Sequence, residues 1–131
     1  MPERLETFVL SVTPVAVYLN ADTQKKDIIK ENRNKCGVYK WKNNTTNKEY
    51  IGSSTNLVSR IYSYYSLKHL VQQTSSLICK ALLKYGHSVF TLEILEYCEP
   101  SEVIAREQHY INLLEPEYNI LSLDPLMVIH V

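Results

Sequence analysis

The amino-acid sequence predicts an α/β domain, a small antiparallel or mixed sheet flanked by helices. Three observations lead there. Residues 37–42 and 49–53 alternate in character around a polar loop, as the arms of a β-hairpin do. Residues 89–97 alternate again further along. Between and after these segments, apolar residues recur at helical spacing. The 131 residues supply one domain's worth of core, and 45% apolar with 21% charged residues exclude a disordered chain.

Each element has its own signal. Val15 to Leu19 read as a short strand. Asp22 is a fair N-cap for a helix over 23–32, with Ile28 and Ile29 as its apolar side. Residues 43–48 form the hairpin turn. Ser54 or Thr55 can cap a helix over 56–65 with Leu57, Val58, Ile61 and Tyr65 facing inward. Thr74, Ser75 or Ser76 can cap a second, carrying Leu77, Ile78, Ala81, Leu82 and Tyr85, and Gly86 sits where a helix C′ glycine belongs. Pro100 and Ser101 open a third, ending near Leu114 before Pro116. Tyr118 to Leu121 read as a short strand or extended segment, and residues 122–131 as a tail.

No apolar run approaches the ~18 residues that span a bilayer. The opening residues, with Glu3 and Glu6, read as neither a secretory signal nor an Arg-rich presequence, so the chain is expected to stay where it is made. Cys36, Cys79 and Cys98 are odd in number and far apart. They are expected to be reduced thiols, at least two of them in the core, rather than disulfides or zinc ligands.

The net charge is zero but unevenly laid out. Residues 25–86 hold twelve bases against three acids, and residues 87–131 hold one base against eight acids. A basic middle is what a phosphate-binding surface needs, although a charge run alone is more often a solvated face.

Several residues look chemical. Of three glycines, Gly37 and Gly52 both fall in the hairpin, each two residues from a tyrosine. A glycine inside a strand marks a bulge or the close approach of another group. Tyr39 and Tyr50 would stand opposite each other on one face if the loop is symmetric. They would then be packing or the lining of a polar cleft. Glu107 falls in the middle of the apolar stripe made by Val103, Ile104, Tyr110, Ile111 and Leu114. A carboxylate there must be paired, hydrogen-bonded or metal-bound. Arg106 points about 100° away and cannot be its partner. Arg60 and Tyr64 lie four apart, so guanidinium and phenol can converge, although on the residues alone Arg60 reads first as a surface arginine. The four histidines share no metal spacing, and no phosphate loop or Ser/His/Asp pattern occurs.

Taken in order, Gly37-Val38-Tyr39, Tyr50-Ile51-Gly52-Ser53-Ser54, Asn56-Leu57, Arg60, Ala81 to Gly86, Phe90 to Glu96, Arg106-Glu107-Gln108 and Pro116 to Leu121 resemble the GIY-YIG nuclease signature. The resemblance covers residues 36–121, leaving 1–35 as an N-terminal leader in which Asn20 to Lys25 is similar to the leader of fungal mitochondrial, intron-encoded members. It implies a three-stranded antiparallel sheet and a homing-type endonuclease that cuts double-stranded DNA with one divalent ion, usually Mg2+. Glu107 would be the metal ligand, and Tyr50 or Tyr39 would activate the attacking water. Arg60 would hold the scissile phosphate, and Asn119 would support the end of the site. Lys40, Lys42 and Lys48 would join Arg60 on the DNA. The resemblance also implies a mitochondrial, organelle-encoded protein.

Two departures accompany it. Many homing members have histidine where this chain has Tyr64, although tyrosine occurs there in the related excision-repair nucleases. Homing members also continue into a C-terminal recognition region, here expected to be missing or supplied by another chain. The oligomeric state is left open. Two other readings remain: a remnant that binds DNA without cutting, and an interaction domain with no nucleic-acid role. The last requires Glu107 to be neutralised by a lysine or arginine.

Overall fold

The computed structural model describes residues 12–120. Four strands form one fully antiparallel sheet: β1 (Ala16–Tyr18), β2 (Gly37–Asn43), β3 (Glu49–Ser54) and β4 (Phe90–Tyr97), in the spatial order β1-β4-β2-β3. The helices are α1 (Lys25–Glu31), α2 (Leu57–Ser63), α3 (Leu67–Gln72), α4 (Leu77–Tyr85), α5 (Val103–Leu114) and α6 (Glu117–Ile120). The expected sheet gains a fourth strand because the short Ala16–Tyr18 segment pairs with β4 instead of standing apart. Among the described residues no helix is long and apolar enough to cross a membrane.

Strand alternation sorts side chains onto two faces. Tyr39, Trp41, Leu92 and Ile94 point into the larger core with Leu57, Ile61, Tyr64 and Leu82. Val38, Ile51 and Leu95 point the other way, against Tyr110 of α5. The sheet is therefore covered on both sides, and the hairpin is the part that communicates between them.

Local chemistry differs from expectation at several points. The turn is closed by Asn43, whose side chain accepts from the N–H groups of Thr45 and Thr46, and by Asn47 in the left-handed region (φ 64). That geometry pairs Tyr39 with Gly52 and Trp41 with Tyr50. Tyr39 and Tyr50 share a face, but they are diagonal neighbours rather than an opposed pair. Gln24, not Asp22, stands at the N-cap of α1 and makes no side-chain cap bond, while Asn20 accepts from the backbone of Asp22 and Thr23 in the turn before it. Asn56 caps α2 in place of Ser54 or Thr55, while Ser54 is tied to Asn56 itself. Ser66 caps α3, a helix the periodicity does not announce. Residues 117–120 form helix α6, not an extended segment, because Pro116 pre-sets a helical start and Asn119 N–H returns to its carbonyl at 3.1 Å. Leu121, the tail and residues 1–11 lie outside the described residues. Of the cysteines only Cys79 is buried; Cys36 and Cys98 are half-buried at the adjoining ends of β2 and β4.

Candidate active site

The hairpin supplies the first half of the site. Tyr39 is buried beneath α2, and its hydroxyl meets that of Tyr64 at 2.7 Å. The Tyr39 ring lies directly over Gly52. A Cβ at that position would sit 2.5 Å from Tyr39 Cζ, so only glycine lets the phenol pass. At Gly37 the close neighbour is backbone: a Cβ there would strike the Glu96 carbonyl, where β2 and β4 slip register. Gly52 thus shapes the site, and Gly37 shapes the sheet.

Helix α2 supplies the second half. Asn56 caps it, and Leu57 and Ile61 anchor it in the core. Arg60 therefore faces outward, and Tyr64 closes the C-terminal turn facing inward. Arg60 lines an open hollow of about 310 Å³ with Ser54, Asn56, Ser59, Ser63 and His69. No acid borders it. Hydroxyls, an amide and a guanidinium make a surface suited to phosphate oxygens.

Glu107 arrives from the other side of the sheet on α5. Its carboxylate accepts a hydrogen bond from the Ser53 hydroxyl at 2.7 Å. Among the described residues its other oxygen has no protein partner, and no lysine or arginine pairs with the carboxylate. Arg106 is engaged elsewhere, gripping both oxygens of Glu96 at 2.8 and 2.9 Å. Among the described residues, then, no structural ion pair accounts for Glu107. Ile104, expected in the same stripe, is instead exposed, because α5 rests on the sheet through Val103 and Tyr110.

The charges of Glu107 and Arg60 both reach the hairpin phenols. Burial raises the pKa of Tyr39 above the ordinary phenol value; the Glu107 charge adds to this while Tyr64 and Arg60 oppose it. Tyr50 is raised in the same way, by burial first; Glu107 adds to this while Tyr64 and Arg60 oppose it. Tyr64 is raised too, chiefly by burial. The cluster rests as neutral phenols. Tyr39 and Tyr64 are sealed, whereas Tyr50 is half-buried and open on one side.

Asn119 stands behind the hairpin. Its side-chain amide accepts from Ile51 N–H and donates to Ile51 C=O, each at 2.8 Å. Glu117 accepts from Glu49 N–H in the same manner at 3.2 Å. Helix α6 thereby occupies the free edge of β3 and holds Tyr50 in place.

The predicted bases are not gathered with these groups. Lys40 is held between Glu49 at 2.9 Å and Glu93 at 3.3 Å. Burial opposes its charge, but the two carboxylates prevail and raise its pKa. Lys42 lies on that same face of β2, and Lys48 is exposed at the turn. Two participants carried little sequence signal. Ser53 was one member of a motif string, and His69 rides on the unannounced helix α3, edge-on to Tyr64 at 6.4 Å.

Comparison with known proteins yields consistent matches. The family model described as the GIY-YIG catalytic domain matches residues 35–119. The "Probable intron-encoded endonuclease bI1" of Neurospora crassa is 37% identical over 134 residues, covering 93% of this chain and 29% of its own length. The UvrABC system protein C of Wolbachia pipientis is 32% identical over 101 residues, covering 77% of this chain and 15% of its own length. A solved catalytic domain of intron endonuclease I-TevI superimposes with TM-score 0.55 at 30% identity, covering 69% of this chain and 97% of that domain. The chain thus spans less than a third of the length of the curated relatives it matches.

Proposed function

The chain belongs to the GIY-YIG family, and from that membership we propose that it is a divalent-metal-dependent endonuclease hydrolysing a phosphodiester of double-stranded DNA. The observation that carries the reading is Glu107: a half-buried carboxylate with no basic partner among the described residues, its charge acting on two phenols that Arg60 also reaches.

The donor set suits Mg2+. Among the described residues no three His, Cys, Asp or Glu side chains cluster. Glu107 would be the sole protein carboxylate to hold it, which suits an ion that commonly relies on one or two carboxylates. When bound, such an ion offsets phosphate charge and acidifies a water.

The remaining roles fall to the chain itself. Arg60, with a fork of donors on an acid-free hollow, orients the phosphate and opposes the charge that grows on it in the transition state. Tyr50, the phenol with an open side, orients the attacking water through its oxygen, and Arg60 eases its ionisation. Tyr39 braces Tyr64 from beneath, and Asn119 holds the Tyr50 strand as a positioning residue. We further propose an origin in an organellar intron, supported by the intron-encoded relative.

Nicking of supercoiled plasmid in Mg2+ tests the proposal. Wild type should yield open circles, and Glu107→Gln and Arg60→Ala should each slow this by ~10²-fold or more. Equal background from all three folded proteins would sink it.

A further inference from the structure

Helix α1 belongs to the leader, outside the matched family region. Lys26 and Lys30 lie four apart on one face of α1, and Arg33, in the turn that follows the helix, borders the same hollow. Asp27 and Glu31 fall about 100° and 140° away from Lys26. Glu31 is engaged by the Tyr18 hydroxyl at 2.8 Å. With Lys25, Ile29 and Tyr62 of α2, the three bases line a hollow of about 400 Å³ that no acid borders. All three are exposed, and none makes an ion pair among the described residues. Lys25 is different: its ammonium lies 5.2 Å from the Tyr62 ring and 5.0 Å from that of Tyr65, which anchors it to the protein. Tyr62 is 54% exposed and offers an apolar surface between the cations.

Tyr62 and Arg60 are two residues apart on α2 and so lie on opposite flanks of it. A helix with its side chains is about 10–12 Å across. The phosphate hollow at Arg60 and the α1 hollow are therefore about one helix width apart. The major groove of B-DNA is about 12 Å wide. We propose that the α1–α2 hollow binds the backbone of the same duplex, on the strand across the groove from the one held at Arg60. The inference rests on the nuclease reading for its substrate class, and it supplies affinity in a chain whose net charge is zero.

The test separates the two. Glu107→Gln protein, which binds without cutting, is titrated in metal-free buffer with a labelled duplex at several salt concentrations. On that background Lys26→Gln, Lys30→Gln and Arg33→Gln are combined. Each phosphate contact contributes about 0.9 to the slope of log affinity against log salt, so the triple variant should lose about 2.7. Between 50 and 200 mM salt the parent should then lose about 40-fold more affinity than the variant. Retaining charge with Lys26→Arg and Lys30→Arg should keep the parental slope. An unchanged slope in the triple variant overturns the proposal, as does a deficit seen on single strands but not on the duplex. If the parent fails to bind duplex at all, the nuclease reading falls with it. If wild type nicks and the slope does not move, only the α1 assignment falls.

Discussion

The side-chain amide of Asn119 pairs with the backbone of Ile51 as a neighbouring strand would, taking its N–H and giving to its C=O at 2.8 Å each. Ile51 adjoins Tyr50 and Gly52, so this clamp sets the depth of the hairpin beneath α2. Asn119→Ala should cost about 1–2 kcal/mol, with two bonds lost at a partly exposed edge. Hydrogen exchange of the Ile51 amide should accelerate, and nicking should slow more than the stability loss explains. Unchanged exchange at Ile51 would show that the clamp is not needed.

Tyr39→Phe should cost about 1–3 kcal/mol, because it leaves the buried Tyr64 hydroxyl without its partner. Adding Tyr64→Phe should recover most of that loss. A double-mutant cycle by urea denaturation measures the coupling; strictly additive losses would argue against the bond.

Gly52→Ala should destabilise the domain by about 1–3 kcal/mol, since the new methyl meets the Tyr39 ring. Tyr39→Leu in the same chain should return part of the stability while leaving the protein inactive. Thermal melts of the three proteins, with nicking assays beside them, give the comparison.

Much of this site was legible in the sequence, and the limits have physical causes. The hairpin and the misplaced acid at Glu107 were visible as departures from ordinary patterning, whereas Arg60 drew its role from the family resemblance. The hairpin register was not, because it depends on how Asn43 and Asn47 wind the turn rather than on strand alternation. Helix α3 was hidden because it spans six residues and buries only Leu70, too little for a period to emerge. The segment after Pro116 read as extended because its tyrosine and isoleucine are strand formers; tertiary contacts of Glu117 and Asn119 with β3 override that preference. The engagement of Lys40 by carboxylates on both neighbouring strands is a three-strand arrangement that sequence spacing does not display.

Acid should weaken the attachment of α5. The Arg106 guanidinium holds the Glu96 carboxyl below its ordinary value of 4.5, with help from the Tyr110 hydroxyl and against partial burial. The folded form therefore binds this proton less readily than the unfolded form. The stability it contributes is complete above about pH 4.5 and is lost as pH falls through the lower folded value. Urea midpoints should drop in that window for wild type and change less for Glu96→Gln.

Alkali should unfold the domain through its phenols. Burial raises Tyr18, Tyr39, Tyr64 and Tyr65 well above the ordinary value of 10.0. Above that pH the unfolded chain gives up protons that the folded chain keeps, so the unfolded state gains and stability falls as pH rises. Absorbance of phenolate should appear in two stages as pH climbs past that value, the later one coinciding with loss of circular dichroism. A single early stage with the fold intact would refute the assignment.

Glu107 reaches the hairpin from α5 on one side of the sheet, while Arg60 and Tyr64 reach it from α2 on the other. Neither layer alone holds a working set of groups. The proposed set is therefore complete only in molecules in which both layers have docked, and a half-melted copy would hold only part of it.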